Sequence, residues 1–509
     1  MRITQSLHKA ARLRGGEIAC SFSGRKKTFE TLVHRVAKLA GGLRSVGVEA
    51  GERVAILANN SDNYFELLLA TLWAGGVVAP LNTRWSSSEI KAAIEDSSAR
   101  VFVYDEYFDD LAADLSGEIL PSLQHRFLMH SQQADSSWET FIAASEPVED
   151  AHRGGDDLAL LLFTGGTTGR SKGVMLSHGN LVSASVSQAA IGCGTRGNTY
   201  LHAAPLFHMA DVQLMVNHLL SGGCHSFVPR FEPGEVLRCL ANDGVSDVLL
   251  VPTMIHALLS HPDFASTNLD RLQTIFYGAA PMPAALLDKV ILALPNCELI
   301  QGYGMTETCL ATMLPAKYHR LSDDPNARKR LSSAGLEMAL SEIRIADADG
   351  CELATGEVGE IQIGGPSVML GYWNAPEKTA EVKKDGWMCT GDLAYRDEDG
   401  FVYIVDRLKD MIITGGENVF STEVENVLSR HPGVSQCAVI GLPDEKWGER
   451  VHAVLVCSTS IDTTEITRFC QSSLSLYKCP KSISVIDAMP LSPAGKILKT
   501  VLREQLLNI

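Results

Sequence analysis

The densest run of residues able to do chemistry is FTGGTTGRSKG, residues 163–173. Gly165, Gly166 and Gly169 alternate there with the hydroxyls of Thr164, Thr167, Thr168 and Ser171, and Lys172 follows. Glycines let backbone N–H groups come close to phosphate oxygens, hydroxyls add donors, and a lysine adds a compact positive charge. The chemistry implied is the binding of a polyphosphate. A Walker loop would set its lysine before Ser or Thr and open directly into a helix. In this chain Ser171 precedes Lys172, Gly173 follows it, and a second apolar run (residues 174–176) comes next, so a kinase-like loop is not expected.

Further motifs lie downstream in a fixed order. They are PLFH (205–208), YGAAP (277–281), QGYGMTE (301–307), GWMCTGD (386–392), DRLKDMIITGGENV (406–419) and LSPAGKILK (491–499). With the glycine-threonine loop they make seven ordered matches, and the whole chain resembles the adenylate-forming superfamily of acyl-CoA synthetases, peptide-synthetase adenylation domains and luciferases. The resemblance implies an acid–thiol ligase that joins a carboxylate to AMP, releasing pyrophosphate, and then transfers the acyl group to coenzyme A. ATP, Mg²⁺ and coenzyme A are the implied cofactors and co-substrates. Two positions depart from the common loop: Gly165 stands where Ser is usual and Ser171 where Pro is usual.

The resemblance carries roles onto individual residues. Glu307 matches the magnesium-linked glutamate, with Thr167 as a second metal contact, and Thr306 matches the α-phosphate donor. One carboxylate suffices, because Mg²⁺ takes one or two carboxylates plus phosphate oxygens. Gly278, Ala279, Ala280 and Pro281 match the backbone stretch lining adenine; Gln301, Gly302, Tyr303 and Gly304 continue that wall, with Tyr303 against the ring. Asp392 follows a Thr-Gly turn and is placed to accept from both ribose hydroxyls, with Arg407 beside it. Lys496 matches the lysine that bridges the attacking carboxylate and the α-phosphate in the transition state. Lys409 matches the hinge about which a small domain rotates between half-reactions. Gly415 and Gly416 would then leave a passage for the pantetheine arm, near Trp447 and the Tyr477-Lys478 pair.

His208, closing PLFH, matches the gate between the acyl site and the thiol path. The acyl pocket is expected to be lined by His208, Met209, Ala210, Met254, Ala279, Met305 and Leu310, an apolar set suited to a medium- or long-chain fatty acid. An aryl acid is the alternative, as is transfer to a carrier protein. Asp211 stands one position from the usual amine-binding Asp, which disfavours an amino acid. A luciferase-like oxygenase shares the adenylation step, whereas a catalytically dead homologue would lack Lys172, Glu307 or Lys496, and all three are present.

The elements that must position these residues read as an α/β protein. At 509 residues, more than one domain is expected. Helical stretches (31–46, 62–73, 87–96) alternate with strands (53–58, 77–79, 101–104), and strands 247–251, 274–277 and 298–301 continue the series, implying parallel sheets under helices. After about residue 340 strand-like segments separated by turns, SEIRIADADG (341–350), GEIQIGG (359–365) and GFVYIVDR (400–407), read as more antiparallel, a distorted β-barrel region. A small mobile α+β unit follows, with a helix at 423–429, strands at 436–440 and 452–457, a helix at 464–474 and a strand at 482–486. The division expected is residues 1–406 and 407–509, hinged near Lys409. A net charge of −16 argues against a nucleic-acid partner. Twelve scattered cysteines without a CxxC pair read as reduced thiols of a cytoplasmic protein. No stretch reads as a membrane span, peripheral membrane contact stays open, and a monomer or homodimer is expected.

Overall fold

The computed structural model describes residues 1–113, 115, 120–129, 137–164, 171–192, 198–457, 462–491 and 497–507. Two large sheets form the body of the first four hundred residues. One has seven strands in the spatial order Gly371–Tyr372, Lys172–Ser177, Leu158–Thr164, Val77–Pro80, Arg53–Leu57, Val101–Asp105 and His125–Met129. Its middle is parallel and nearly every side chain there is buried, the arrangement expected of continuous apolar runs covered on both faces. The other has nine strands, with Thr274–Gly278 parallel to Glu298–Met305 and an antiparallel return at Cys309–Leu314.

Helix Asp62–Ala74 shows how the sequence seals this body. The Ser61 side chain caps its start by accepting from the Tyr64 N–H, and Gly75 ends it with φ +92°. All thirteen residues are buried, including Asp62 and Glu66. Those two carboxylates are matched by Lys27, at 3.2 and 3.1 Å, while Arg35 contacts Glu66 at 2.6 Å. A buried charge is tolerated when paired in this way, and removing one partner costs about 3–5 kcal/mol.

Two assignments differ from the sequence reading in instructive ways. The strand expected at 298–301 runs on to Met305, through Gly302 and Gly304. These glycines mark close approach, not a turn: a Cβ on Gly302 would lie 2.6 Å from Leu310 Cδ1, and one on Gly304 would overlap the Cys309 carbonyl oxygen. The helix expected at 423–429 starts earlier, as Ser421–Leu428, because the Ser421 N–H and hydroxyl both bond the Asp406 carboxylate.

Residues 342–407 contribute a five-stranded antiparallel sheet built on Glu342–Ala346, Gly359–Gly364 and Trp387–Arg396, with Val402–Arg407 paired to the last. A separate five-stranded sheet begins at Ile412–Thr414 and includes Val434–Asp444, Gly448–Cys457 and Ser482–Val485, packed with helices Ser421–Leu428, Thr463–Gln471 and Lys499–Leu507. The architecture is thus a large α/β N-terminal body followed by a smaller α+β C-terminal one. No helix among the described residues is long and apolar enough to cross a membrane, and no disulfide joins the described cysteines.

Candidate active site

The two strands on either side of the glycine-threonine loop form an antiparallel pair. Leu158–Thr164 runs antiparallel to Lys172–Ser177, and Thr164 pairs directly with Lys172. This is the opposite of a strand feeding a helix, and the apolar run after Lys172 is the residue-level signal of it. Gly165, Gly166, Thr167, Thr168 and Gly169 lie outside the described residues, but the hairpin fixes where both ends of their segment are.

Beside this hairpin the ends of Thr274–Gly278 and Glu298–Met305 form a backbone wall. Tyr277 pairs with Gln301 and Gly278 with Gly302. A Cβ on Gly278 would overlap the Gly302 carbonyl oxygen, so only glycine lets the two strands meet there. Ala279 follows with φ +61°, a left-handed conformation that costs an alanine about 1–2 kcal/mol. Such a cost persists where surroundings over-determine the backbone, often at a binding site. Ala279 and Ala280 are half-buried and Pro281 is exposed, leaving the stretch open to a ligand. Beneath it, His319 Nδ1 is 3.2 Å from the Pro315 carbonyl, which places its hydrogen there and leaves Nε2 to accept from the Tyr277 hydroxyl at 2.8 Å. Burial pushes His319 down to about 4, so it stays neutral. The sequence reading had no place for His319, which lies outside every motif.

A tight turn at 306–308 joins Glu298–Met305 to the returning strand, and Cys309 leaves it with φ +55°. The Thr308 hydroxyl accepts from the Met305 N–H at 3.2 Å, holding Thr306 half-exposed and Glu307 inward. Glu307 is 6% exposed, and its Oε1 accepts the Tyr372 hydroxyl at 2.8 Å. A carboxylate is the kind of oxygen ligand that a hard cation such as Mg²⁺ takes.

Across the wall the Tyr303 hydroxyl donates to Asp392 Oδ2 at 2.8 Å, and Arg407 Nε is 3.3 Å from Asp392 Oδ1. Asp392 and Arg407 are strand partners, which aligns their side chains. Burial, followed by the charge of Asp392, pushes the Tyr303 hydroxyl well up, so it acts as a neutral donor. Asp392 thus joins Tyr303 and Arg407 in one cluster. Lys409 lies two residues beyond, in an exposed turn closed by the Asp410 N–H to the Arg407 carbonyl. Burial lowers its ionisation, with Arg407 adding to the effect.

The expected acyl-pocket residues come from four elements. His208 is the residue before helix Met209–Ser221 and is half-buried, Met209 is buried and Ala210 partly so. Met254 stands on helix Pro252–Leu259, while Met305 and Leu310 flank the Glu307 turn and pack into separate apolar clusters. All are apolar except His208.

On the C-terminal sheet, Gly415 and Gly416 form a two-residue hairpin between Thr414 and Glu417, with φ +61° and +84° as such a turn requires. The Gly415 N–H bonds the Trp447 carbonyl at 2.8 Å, and a Cβ on Gly415 would lie 2.8 Å from Trp447 Cε3. Trp447 is 44% exposed, so these three residues make one outward-facing patch. Lys478 is engaged elsewhere, with Glu423 at 2.8 Å. Lys496 lies outside the described residues, although Leu491 and Ile497 on either side of it are joined by an antiparallel bridge. Just beyond, Lys499 bonds Ser421 and Glu425 at 2.6 and 2.7 Å, and Arg503 meets Asp410 at 3.0 Å. No motif announced these ties.

The chain matches the AMP-binding enzyme family over residues 7–373 and its C-terminal domain over residues 423–496. It is 39% identical to a feruloyl-CoA synthase of Amycolatopsis over 98% of this chain and 97% of the relative. It is also 35% identical to a long-chain fatty acid–CoA ligase of Mycobacterium tuberculosis, over 92% and 91%. Among solved structures, ATP-bound MatB from Rhodopseudomonas palustris is similar with TM-score 0.88 and 32% identity, covering 99% of both chains. With glycine-lined backbone, buried glutamate and strand-paired Asp392 and Arg407 in its order, the chain belongs to the AMP-binding, adenylate-forming enzyme family and is a ligase of the acyl- and aryl-CoA type.

Proposed function

We propose that this enzyme adenylates a hydrophobic carboxylic acid with ATP and transfers the acyl group to coenzyme A. The observation that carries the reading is the cluster joining Tyr303, Asp392 and Arg407 at one end of the glycine wall, with Glu307 buried at the other. Asp392 would accept from the ribose hydroxyls, and Gly278 to Pro281 with Gln301 to Gly304 would line adenine. Glu307, with Thr167 of the loop, would hold a divalent cation, which supplies neutralisation of the phosphate charge when bound. Lys172 and Thr306 face the phosphates in this reading. Lys496 contacts the attacking carboxylate and α-phosphate together, and that contact strengthens as charge develops.

The small domain, taken as residues 407–509 turning about Lys409, would then exchange Lys496 for the Gly415-Gly416-Trp447 patch, admitting the thiol past His208. A two-glycine turn beside an exposed aromatic face suits a thin, flexible arm passing through.

For the acid, the apolar walls favour a hydrophobic substrate over a dicarboxylate. Similarity to feruloyl-CoA synthases favours an aryl acid, and similarity to a long-chain ligase favours a fatty acid. The higher identity to the feruloyl-CoA synthases favours an aryl acid over a fatty acid. Pyrophosphate release should be measured across substituted cinnamates, fatty acids of graded length and malonate, with and without coenzyme A. Cinnamates are expected to lead in kcat/KM, and malonate to give no turnover. Fatty acids leading would reverse the order, and equal rates across the panel would sink the pocket argument.

A further inference from the structure

Residues 369–373 form a strap that touches both halves of the phosphate-handling machinery. Leu370 and Trp373 donate their N–H groups to the Met175 and Gly173 carbonyls, at 2.9 and 2.8 Å, which locks the strap to the strand carrying Lys172. At its start the Met369 N–H bonds the Glu307 carbonyl at 2.7 Å. Tyr372 occupies the middle. It is 5% exposed, its N–H bonds Thr379 Oγ1 at 2.9 Å, and its hydroxyl bonds Glu307 Oε1 at 2.8 Å. The Lys172 ammonium lies over the same ring, 4.8 Å from its centroid. One side chain therefore contacts a lysine and a glutamate 135 positions apart, both of which the proposed function assigns to ATP and its metal.

We propose that Tyr372 is a positioning residue for the adenylation half-reaction, orienting the Glu307 carboxylate toward the nucleotide's divalent cation and seating Lys172 before the nucleotide arrives. A glutamate on its own turns freely about its side-chain bonds. A hydroxyl donating to one oxygen fixes the carboxylate plane and makes the arrangement ready in advance, as cation coordination requires. A phenol is a neutral O–H donor at neutral pH, so it donates to the carboxylate and does not repel it. The ring contact with Lys172 is of the weak cation–π kind, strong enough to place the ammonium and weaker than a charge-assisted bond to phosphate, so nucleotide draws the lysine across.

This inference rests on the proposed function, and binding measurements separate the two. Tyr372→Phe keeps the ring and deletes only the donor. Calorimetric titration is expected to show MgATP binding weakened about tenfold, the size of a lost hydrogen bond to a charged group, with metal-free ATP (titrated with EDTA) unchanged. Pyrophosphate release should require several-fold more Mg²⁺ for half-maximal rate, while acyl transfer from supplied acyl-adenylate to coenzyme A is unchanged. Tyr372→Leu, which also removes the seat for Lys172, should weaken ATP with and without metal. Wild-type MgATP affinity and Mg²⁺ requirement in Tyr372→Phe would overturn the proposal, as would equal losses with and without metal or equal losses in both half-reactions. Absence of pyrophosphate release by the wild type with every acid would instead overturn the function, and the titrations would still decide the role of Tyr372.

Discussion

The glycines of the backbone wall at 278–304 and those of the C-terminal hairpin serve opposite ends. At Gly278, Gly302 and Gly304 an added Cβ meets fixed backbone or a packed leucine, so these glycines bring strands into contact. At Gly416 an added Cβ meets nothing within 4 Å, and at Gly415 it meets only the rim of an exposed tryptophan. Here glycine supplies a positive φ and leaves room. The first set builds a rigid cradle. The second keeps a surface thin, and under the proposed function the two halves of the reaction would divide along the same line.

Four changes would break or sharpen that contrast. The largest effect is expected from Lys496→Ala, which should reduce pyrophosphate release by about 10³-fold, the upper range for one preorganised contact to a developing charge. Transfer to coenzyme A from supplied acyl-adenylate should persist, and loss of both steps would erase the division of labour. Next, Gly278→Ala should abolish MgATP binding or prevent folding, read by calorimetry and circular dichroism, whereas Gly304→Ala should do the same through Cys309. The fourth change, Gly416→Val, should leave pyrophosphate release near wild type and raise the KM for coenzyme A. Its strain should cost about 1–2 kcal/mol of stability, and an unchanged KM would remove Gly416 from the thiol path.

The smallest effect concerns acid. His319, beside Tyr277 of the backbone wall, and His452, on the small sheet with its Nδ1 2.7 Å from the Ser482 hydroxyl, are both pushed down to about 4, by burial first. Each prefers to be neutral when folded, so each contributes stability that is complete above its ordinary value near 6.5 and is lost as pH falls through 4. Asp105, pushed up to about 6 by burial, works the other way, favouring the folded state as pH drops from 6 toward 4. Melting temperature should therefore fall between pH 6.5 and 4. His319→Gln should flatten the fall for the large body and His452→Gln for the small one, and identical profiles would show the two regions unfolding as one unit.

Much of this was legible in the sequence because it is local. The alternation of residues 53–104 became strands and helices within about two positions of expectation, and the apolar run after Lys172 already argued against a loop opening into a helix. What escaped was made by chain reversals over long distances. Tyr372 reaches Glu307 across 65 positions, His319 reaches Tyr277 across 42, and Lys499 reaches Ser421 across 78. Periodicity cannot register such pairs, since each residue alone resembles an ordinary core or surface residue. Two-residue turns such as Gly415-Gly416 were visible, yet the packing of Trp447 against them was not.

Ala279 adds a consequence for anyone seeking to harden this enzyme. Replacing it with glycine would release roughly 1 kcal/mol of left-handed strain and should raise the melting temperature by a degree or two. Under the proposed function the same change removes a methyl group from the place where the adenine and acyl sites would adjoin. Selection for heat tolerance alone would then favour a sturdier protein with looser discrimination among acids, and Ala279 is where those two pressures can be told apart.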